Sequence, residues 1–192
     1  MTHKLVTAPA EEPLTLAEAK LHARAHDADD PKTTRLIAAA RKHTESFLQR
    51  ALCTQTWDWF LDYGFRRRVL ELPMPPIQSV THIKYVDDAG VLQTLDPSKY
   101  LVLGLGHEEG SRVAPAYDEI WPVVRCLPEA VQIRFVTGYG AASAVPEDIK
   151  EAMLLIIGHL YAHREENHDF QLHEMPLGAL RLLSPYRITR FD

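Results

Sequence analysis

Histidine is the residue whose spacing first suggests chemistry in this chain. His22 with His26, and His159 with His163, stand four apart in stretches patterned as helix, the interval that lets two imidazoles reach one metal ion. Neither pair encloses the glutamate of an H-E-x-x-H site, and spacing supplies no third ligand. His168 and His173 lie in a polar run that reads as loop. The ordinary reading is hydrogen-bonded histidines on or near helix surfaces, with His159 and His163 kept as the metal candidates. Gly104-Leu105-Gly106 has its next glycine at Gly110, the wrong interval for a dinucleotide fingerprint, so these glycines read as turns. There is no G-K-[ST] and no G-x-S-x-G. Cys53 and Cys126 are far apart and in no C-x-x-C pair, which predicts neither a disulfide framework nor a thiolate zinc site. No catalytic residue and no cofactor follow, and the expectation is a protein that is not an enzyme. The one basic run, Arg66-Arg67-Arg68, could meet nucleic-acid phosphates or an acidic partner. Trp57 and Trp59 beside it alternate as sheet residues do, so the run reads as a solvated turn between strands.

Composition narrows the class. In 192 residues, 46% are hydrophobic and 24% charged, enough for one ordinary domain with a real core or at most two small ones. Acidic residues outnumber basic ones, 26 to 21, for a net charge of -5. That opposes sequence-independent binding to the outside of DNA or to an anionic membrane, both of which need a clustered basic surface. The longest apolar run, Met153 to Ile157, is far short of a membrane span, and Met1 to Pro13 lacks the apolar core of a signal peptide. A reducing cytoplasm is the expected compartment.

The elements that must carry these residues are legible from local signals. Thr15 with Glu18 forms a capping box for a helix from about Leu16 to His26. Asp29-Asp30-Pro31 opens a second helix whose buried stripe is Leu36, Ile37, Ala40, Thr44, Phe47, Leu48 and Ala51. After Cys53 the period falls to two, with Trp57, Trp59, Leu61 and Tyr63 on one side and Asp58 and Asp62 on the other. Arg66 to Leu72 reads as a short strand stopped by Pro73, Pro75 and Pro76. Ile77 to Val86 and Val91 to Leu95 flank Asp87-Asp88-Ala89-Gly90 as a hairpin, followed by strands at Tyr100 to Leu105 and Ala130 to Val136. Helix returns at Pro146 with Ile149, Met153, Ile156, Ile157 and Leu160 on its buried face. The expected fold class is α+β: N-terminal helices and one long C-terminal helix packed with a small, mostly antiparallel sheet, flanked by extended arms. The expected divisions are an N-terminal arm (1–13), a single α+β domain (14–164), a polar linker (165–175) and a C-terminal docking arm (176–192). The last segment carries Leu180, Leu183, Tyr186 and Phe191 with Arg181, Arg187 and Arg190. It is too apolar for a free tail and too short for its own core. Either it anchors to a partner, with the arginines oriented toward carboxylates, or it folds back on its own domain.

Over nearly the whole length the chain resembles the head-tail connector (adaptor) proteins of long-tailed bacteriophages and gene transfer agents. The likeness is carried by Leu14-Thr15-Leu16-Ala17-Glu18-Ala19-Lys20, Ala38-Ala39-Ala40-Arg41, Gln55-Thr56-Trp57, Leu72-Pro73 and Pro76-Ile77-Gln78-Ser79-Val80. It continues through Leu95-Asp96-Pro97-Ser98-Lys99-Tyr100, Trp121-Pro122, Val131 to Gly140, Val145-Pro146-Glu147-Asp148-Ile149-Lys150 and Gly158-His159-Leu160-Tyr161. The resemblance implies a structural virion protein at the head-tail interface, assembled in the host bacterial cytoplasm. It implies self-association into a ring, a dodecamer on the portal protein, that lengthens the DNA channel and docks a tail-completion or tail terminator protein. Genomic DNA would pass without sequence-specific binding, and no membrane is involved. Leu180, Arg181, Leu183, Tyr186, Arg187, Arg190 and Phe191 are the expected contacts to portal or to a neighbouring subunit. Two other classes stay open: a DNA-binding packaging accessory factor using Arg66 to Arg68, and a histidine-based metal-binding protein.

Overall fold

The computed structural model describes residues 2–162 and 175–188. The chain divides into a sheet unit, Met1–Ala10 with Thr54–Tyr139, and a helical unit, Glu11–Cys53 with Gly140–Asp192. The α+β class holds, and the described sheets are entirely antiparallel.

The sheet unit contains β1 (Thr2–Thr7), β2 (Gln55–Leu61), β3 (Leu70–Glu71), β4 (Ile77–Val86), β5 (Leu92–Thr94), β6 (Tyr100–Leu103), β7 (Arg112–Pro115) and β8 (Val131–Thr137). They form a five-stranded sheet in the order β1-β2-β8-β4-β5 and a three-stranded sheet in the order β3-β7-β6. Strand β8 lies at the middle of the larger sheet because Val131, Ile133 and Phe135 alternate on one face and are fully buried. They join Trp59, Leu61, Leu70, Ile83, Tyr100 and Val113, so that both sheets contribute to one apolar cluster. Asp58, placed by alternation on the side opposite Trp59 and Leu61, is buried as well. It faces Arg134 across the β2–β8 ladder. Its Oδ1 accepts from Arg134 Nε at 2.7 Å, and its Oδ2 accepts from Arg134 Nη2 at 2.8 Å and Gln132 Nε2 at 2.7 Å. Residues 2–7 form the outer strand of the larger sheet, held by backbone pairing to β2 with every side chain exposed.

The helical unit contains α1 (Leu16–Ala23), α2 (Asp30–Leu48), α3 (Glu147–Ala162) and α4 (Leu177–Leu183). The capping box is present: Glu18 N donates to Thr15 Oγ1 at 3.2 Å and Thr15 N to Glu18 Oε2 at 2.7 Å. Helix α1 stops three residues earlier than its pattern suggests, with Arg24 in the left-handed region at φ 50°. The α2 stripe turns inward at Ile37, Ala40, Thr44 and Leu48, but Arg41 and Glu45 are buried beside them. Their burial is matched by pairing. Arg41 Nε and Nη2 hold Glu12 Oε2 and Oε1 at 2.7 and 3.2 Å, and Nη1 holds Glu45 Oε2 at 2.9 Å. The other Glu45 oxygen accepts from Leu52 N at 3.0 Å. This network fastens the segment before α1 and the segment after α2 to one helix. Cys53 and Gly140 form a backbone bridge, and Ala142 N donates to Glu11 Oε1 at 2.8 Å. Burial pushes the Cys53 thiol up to about 12, with Glu11, Glu12 and Glu45 adding to the shift, so this cysteine is a packing residue.

Candidate docking surfaces

Two loops of the sheet unit are fastened into a ledge. After β2 the backbone turns through Tyr63 at φ 62° and Gly64 at φ 93°. A side chain at Gly64 would be strained by that φ and would place its Cβ 3.3 Å from Val124. Tyr63 N donates to Leu127 O at 2.9 Å. Phe65 stacks on Trp121 with centroids 4.4 Å apart and planes 7° from parallel. Trp121 Nε1 in turn donates to the carbonyls of Arg67 and Arg68, both at 3.1 Å. The arginine run is therefore exposed as expected, but it is held by its backbone rather than hanging as a loose turn. Of the expected Arg66–Leu72 strand, Leu70 and Glu71 pair with β7 and Leu72 N donates to Ser111 O at 2.9 Å, while the carbonyls of Arg67 and Arg68 accept from Trp121 instead of a strand. None of the three arginines makes an ion pair among the described residues; Arg66 lies over the Tyr63 ring at 5.3 Å. On the same stretch as Trp121, which has no regular structure, Tyr117, Ile120 and Val123 are 91%, 83% and 72% exposed.

At the opposite end of the three-stranded sheet, β6 and β7 are joined by the glycine-rich turn 104–111, as the glycine spacing predicts. Gly104 has φ 73°, and a Cβ there would fall 2.9 Å from Gly110 O, so this position admits only glycine without a shift of backbone. Ser111 Oγ donates to Gly104 O at 2.7 Å, and Gly106 N donates to Ile77 O at 2.7 Å. The turn holds out Leu105, Glu108 and Glu109, all exposed, and neither glutamate makes an ion pair among the described residues. Leu101 and Leu103 extend this apolar surface along β6.

In the helical unit the C-terminal residues are packed. Ala179 and Leu183 are fully buried, and Leu180 is half-buried. Arg50 Nε donates to Tyr186 O at 2.5 Å, Tyr186 Oη to Asp148 Oδ2 at 3.2 Å, and Ile188 N to Leu48 O at 3.2 Å. Arg187 lies over the Phe47 ring at 4.9 Å. Leu177, Arg181 and Arg187 face outward. Arg190, Phe191 and the 165–174 run lie outside the described residues. So does His163, which leaves the His159–His163 pair without a geometry. His22 and His26 are separated by the end of α1 at Ala23 and no longer share a helix face. Among the described residues no group of three or more His, Cys, Asp or Glu could hold a metal ion. The antiparallel character of the sheet and the strands β2, β4 and β8 were visible in the sequence, but β1 and β7 were not, and nothing in the sequence marks Trp121 as the clamp on the arginine loop.

These surfaces sit on a fold shared with components of a virion neck. More particularly, the chain is similar at 25% identity and TM-score 0.78 to a chain in the neck of the native gene transfer agent particle computed with C12 symmetry. It is similar at 25% identity and TM-score 0.75 to a chain in the virion of the native particle. At 24% identity and TM-score 0.78 it shares the fold of a chain in the neck of the empty particle computed with C6 symmetry. Each similarity covers 100% of this chain and 98% of the other. Neither a protein-family model nor a curated protein matches the sequence.

Proposed function

We propose that the protein is a head-tail connector: copies form a ring below the portal of a phage or gene transfer agent particle, lengthen the DNA channel and dock the tail. The observation that carries this reading is the likeness over the entire chain to neck structures solved with C6 and C12 symmetry. Rotational symmetry of that kind requires heterologous contacts, one face of a subunit meeting a different face of the next. The two units supply distinct surfaces for that purpose. The acidic balance suits a channel wall, because a negative wall lets DNA slide where a basic one would hold it.

For the portal or a neighbouring subunit we assign the outward side of α4 and of the adjoining residues 184–188, with Arg181 and Arg187 as the cations that orient the contact and Leu180 at its margin. Leu183 and Tyr186 act from behind, fixing α4 on the helical unit. Deleting the gene from a producing cell tests the function: DNA-filled heads without tails are expected, and the missing density in purified particles should be a ring at the neck. Tailed, DNA-delivering particles formed without this protein would refute the proposal.

A further inference from the structure

We propose that the acidic turn 104–111 of one copy docks on the arginine ledge of the next, making a head-to-tail contact between sheet units. The choice of a second copy as occupant rests on the ring reading; the complementarity does not. One side carries three contiguous exposed arginines without ion pairs among the described residues, bordered by Tyr117, Ile120 and Val123. The other side carries Glu108 and Glu109, also without ion pairs among the described residues, bordered by Leu101, Leu103 and Leu105. Neither patch is of a single charge, since Asp118 and Glu119 lie between Tyr117 and Ile120 and the exposed Arg112 follows the turn, but the charged side chains in excess are arginines on one patch and glutamates on the other. Arginine and tyrosine at the margin of exposed aliphatic side chains make the composition from which interface hot spots are drawn.

Topology places the two patches where a repeating contact needs them. Strands β3 and β6 both pair with β7, so the three strands run as one small sheet. The pair Tyr100–Pro115 marks the end that leads into the 116–124 loop, and Leu103–Arg112 marks the end that leads into the turn. The arginine ledge and the acidic turn therefore lie at opposite ends of the same sheet and cannot satisfy each other within one copy. A second copy can satisfy both, in the same direction each time, which is a heterologous contact that propagates around an axis. Both patches are held in shape before binding, the ledge by the Phe65–Trp121 stack and the turn by Gly104 and Ser111. Pre-shaped surfaces lose little conformational freedom on association. Protein is favoured over nucleic acid as the occupant because Ile120 and Val123 offer nothing to a phosphate backbone.

Charge reversal on the full chain tests this. One variant carries R66E, R67E and R68E, and another carries E108R and E109R. Sedimentation velocity at low salt, with protein up to millimolar concentration, should show concentration-dependent association of the wild-type chain that added salt weakens. Each variant alone should stay monomeric, since like charges then face each other. An equimolar mixture should associate again, because every contact in an alternating series regains opposite signs. Combining all five changes in one chain should also restore association. Circular dichroism of each variant checks that the fold is intact. A wild-type chain that remains monomeric throughout overturns the inference, as does unchanged association of either variant or a mixture that fails to recover. Duplex DNA binding at physiological salt that is lost in the ledge variant would overturn it in favour of nucleic acid. Absence of the protein from purified particle necks would instead refute the ring reading, leaving the charge-swap result to stand on its own.

Discussion

Removing the side chain of Leu183 separates a C-terminal segment that belongs to the fold from one that merely trails from it. Leu183 is 0% exposed, on the face of α4 that also buries Ala179. Leu→Ala at such a site loses the transfer free energy of the deleted atoms and leaves a cavity, together costing between about 2 and 5 kcal/mol. Helix α4 has only seven residues and a partly open flank, so it can settle partway into the space. The expected loss is therefore about 3 kcal/mol, or roughly 6–12 °C in melting temperature for a chain of this size. Truncation after Met175 should cost more. It deletes both buried side chains and leaves Arg50, 6% exposed, without the Tyr186 carbonyl it now holds. A buried guanidinium that loses its acceptor is destabilising by a further 1–3 kcal/mol or so. Urea unfolding of the wild-type, Leu183→Ala and truncated chains measures both effects. A loss below about 1 kcal/mol in the truncated chain would show that residues 176–192 contribute nothing to the helical unit, and the packing argument would fail.

The outward residues of the same segment should behave differently. Arg181→Glu with Arg187→Glu should change stability by little more than about 0.5 kcal/mol, the loss of the Arg187–Phe47 contact included, yet weaken attachment to portal in a pull-down with purified portal rings. Unaltered attachment would count against the assignment of that surface. In the sheet unit, Asp58→Ala should cost about 2–3 kcal/mol, because it strands the partly exposed Arg134 guanidinium and the Gln132 amide. A double-mutant cycle with Arg134→Ala should return a coupling of about 1 kcal/mol or more, and additivity would refute the pairing. Acid should destabilise this unit in two steps. Burial, then the Lys84 and Arg134 charges, hold His82 below its ordinary value of 6.5, so its contribution is full above that pH and is lost as pH falls from there through the depressed value. The Arg134 hydrogen bonds hold Asp58 below 3.8, and its contribution is lost only at lower pH still. His82→Gln should flatten the first step in urea titrations between pH 8 and 5; an unchanged slope would refute it.

What the sequence determined alone was whatever depends on neighbours within one turn or one pleat. The Thr15–Glu18 box, the α2 and α3 stripes, the hairpin around Asp87–Gly90 and the alternation of Val131, Ile133 and Phe135 are local chemistry repeated at a period. The resemblance to head-tail connectors rests on the order of such pieces, which is why a likeness to virion neck components was legible without any single specific motif. Tertiary structure decided the rest, because the deciding partners lie far apart in sequence. Strand β1 exposes every side chain and so shows no alternation; only the unpaired edge of β2 makes it a strand. Arg41, Glu45 and Asp58 carry charges that local pattern assigns to solvent, and they are buried because Glu12, 29 residues away, and Arg134, 76 away, complete their hydrogen bonds. The ledge obeys the same rule. Three arginines in a row become a shaped surface only through an indole more than fifty residues further along the chain, which donates to the carbonyls of Arg67 and Arg68.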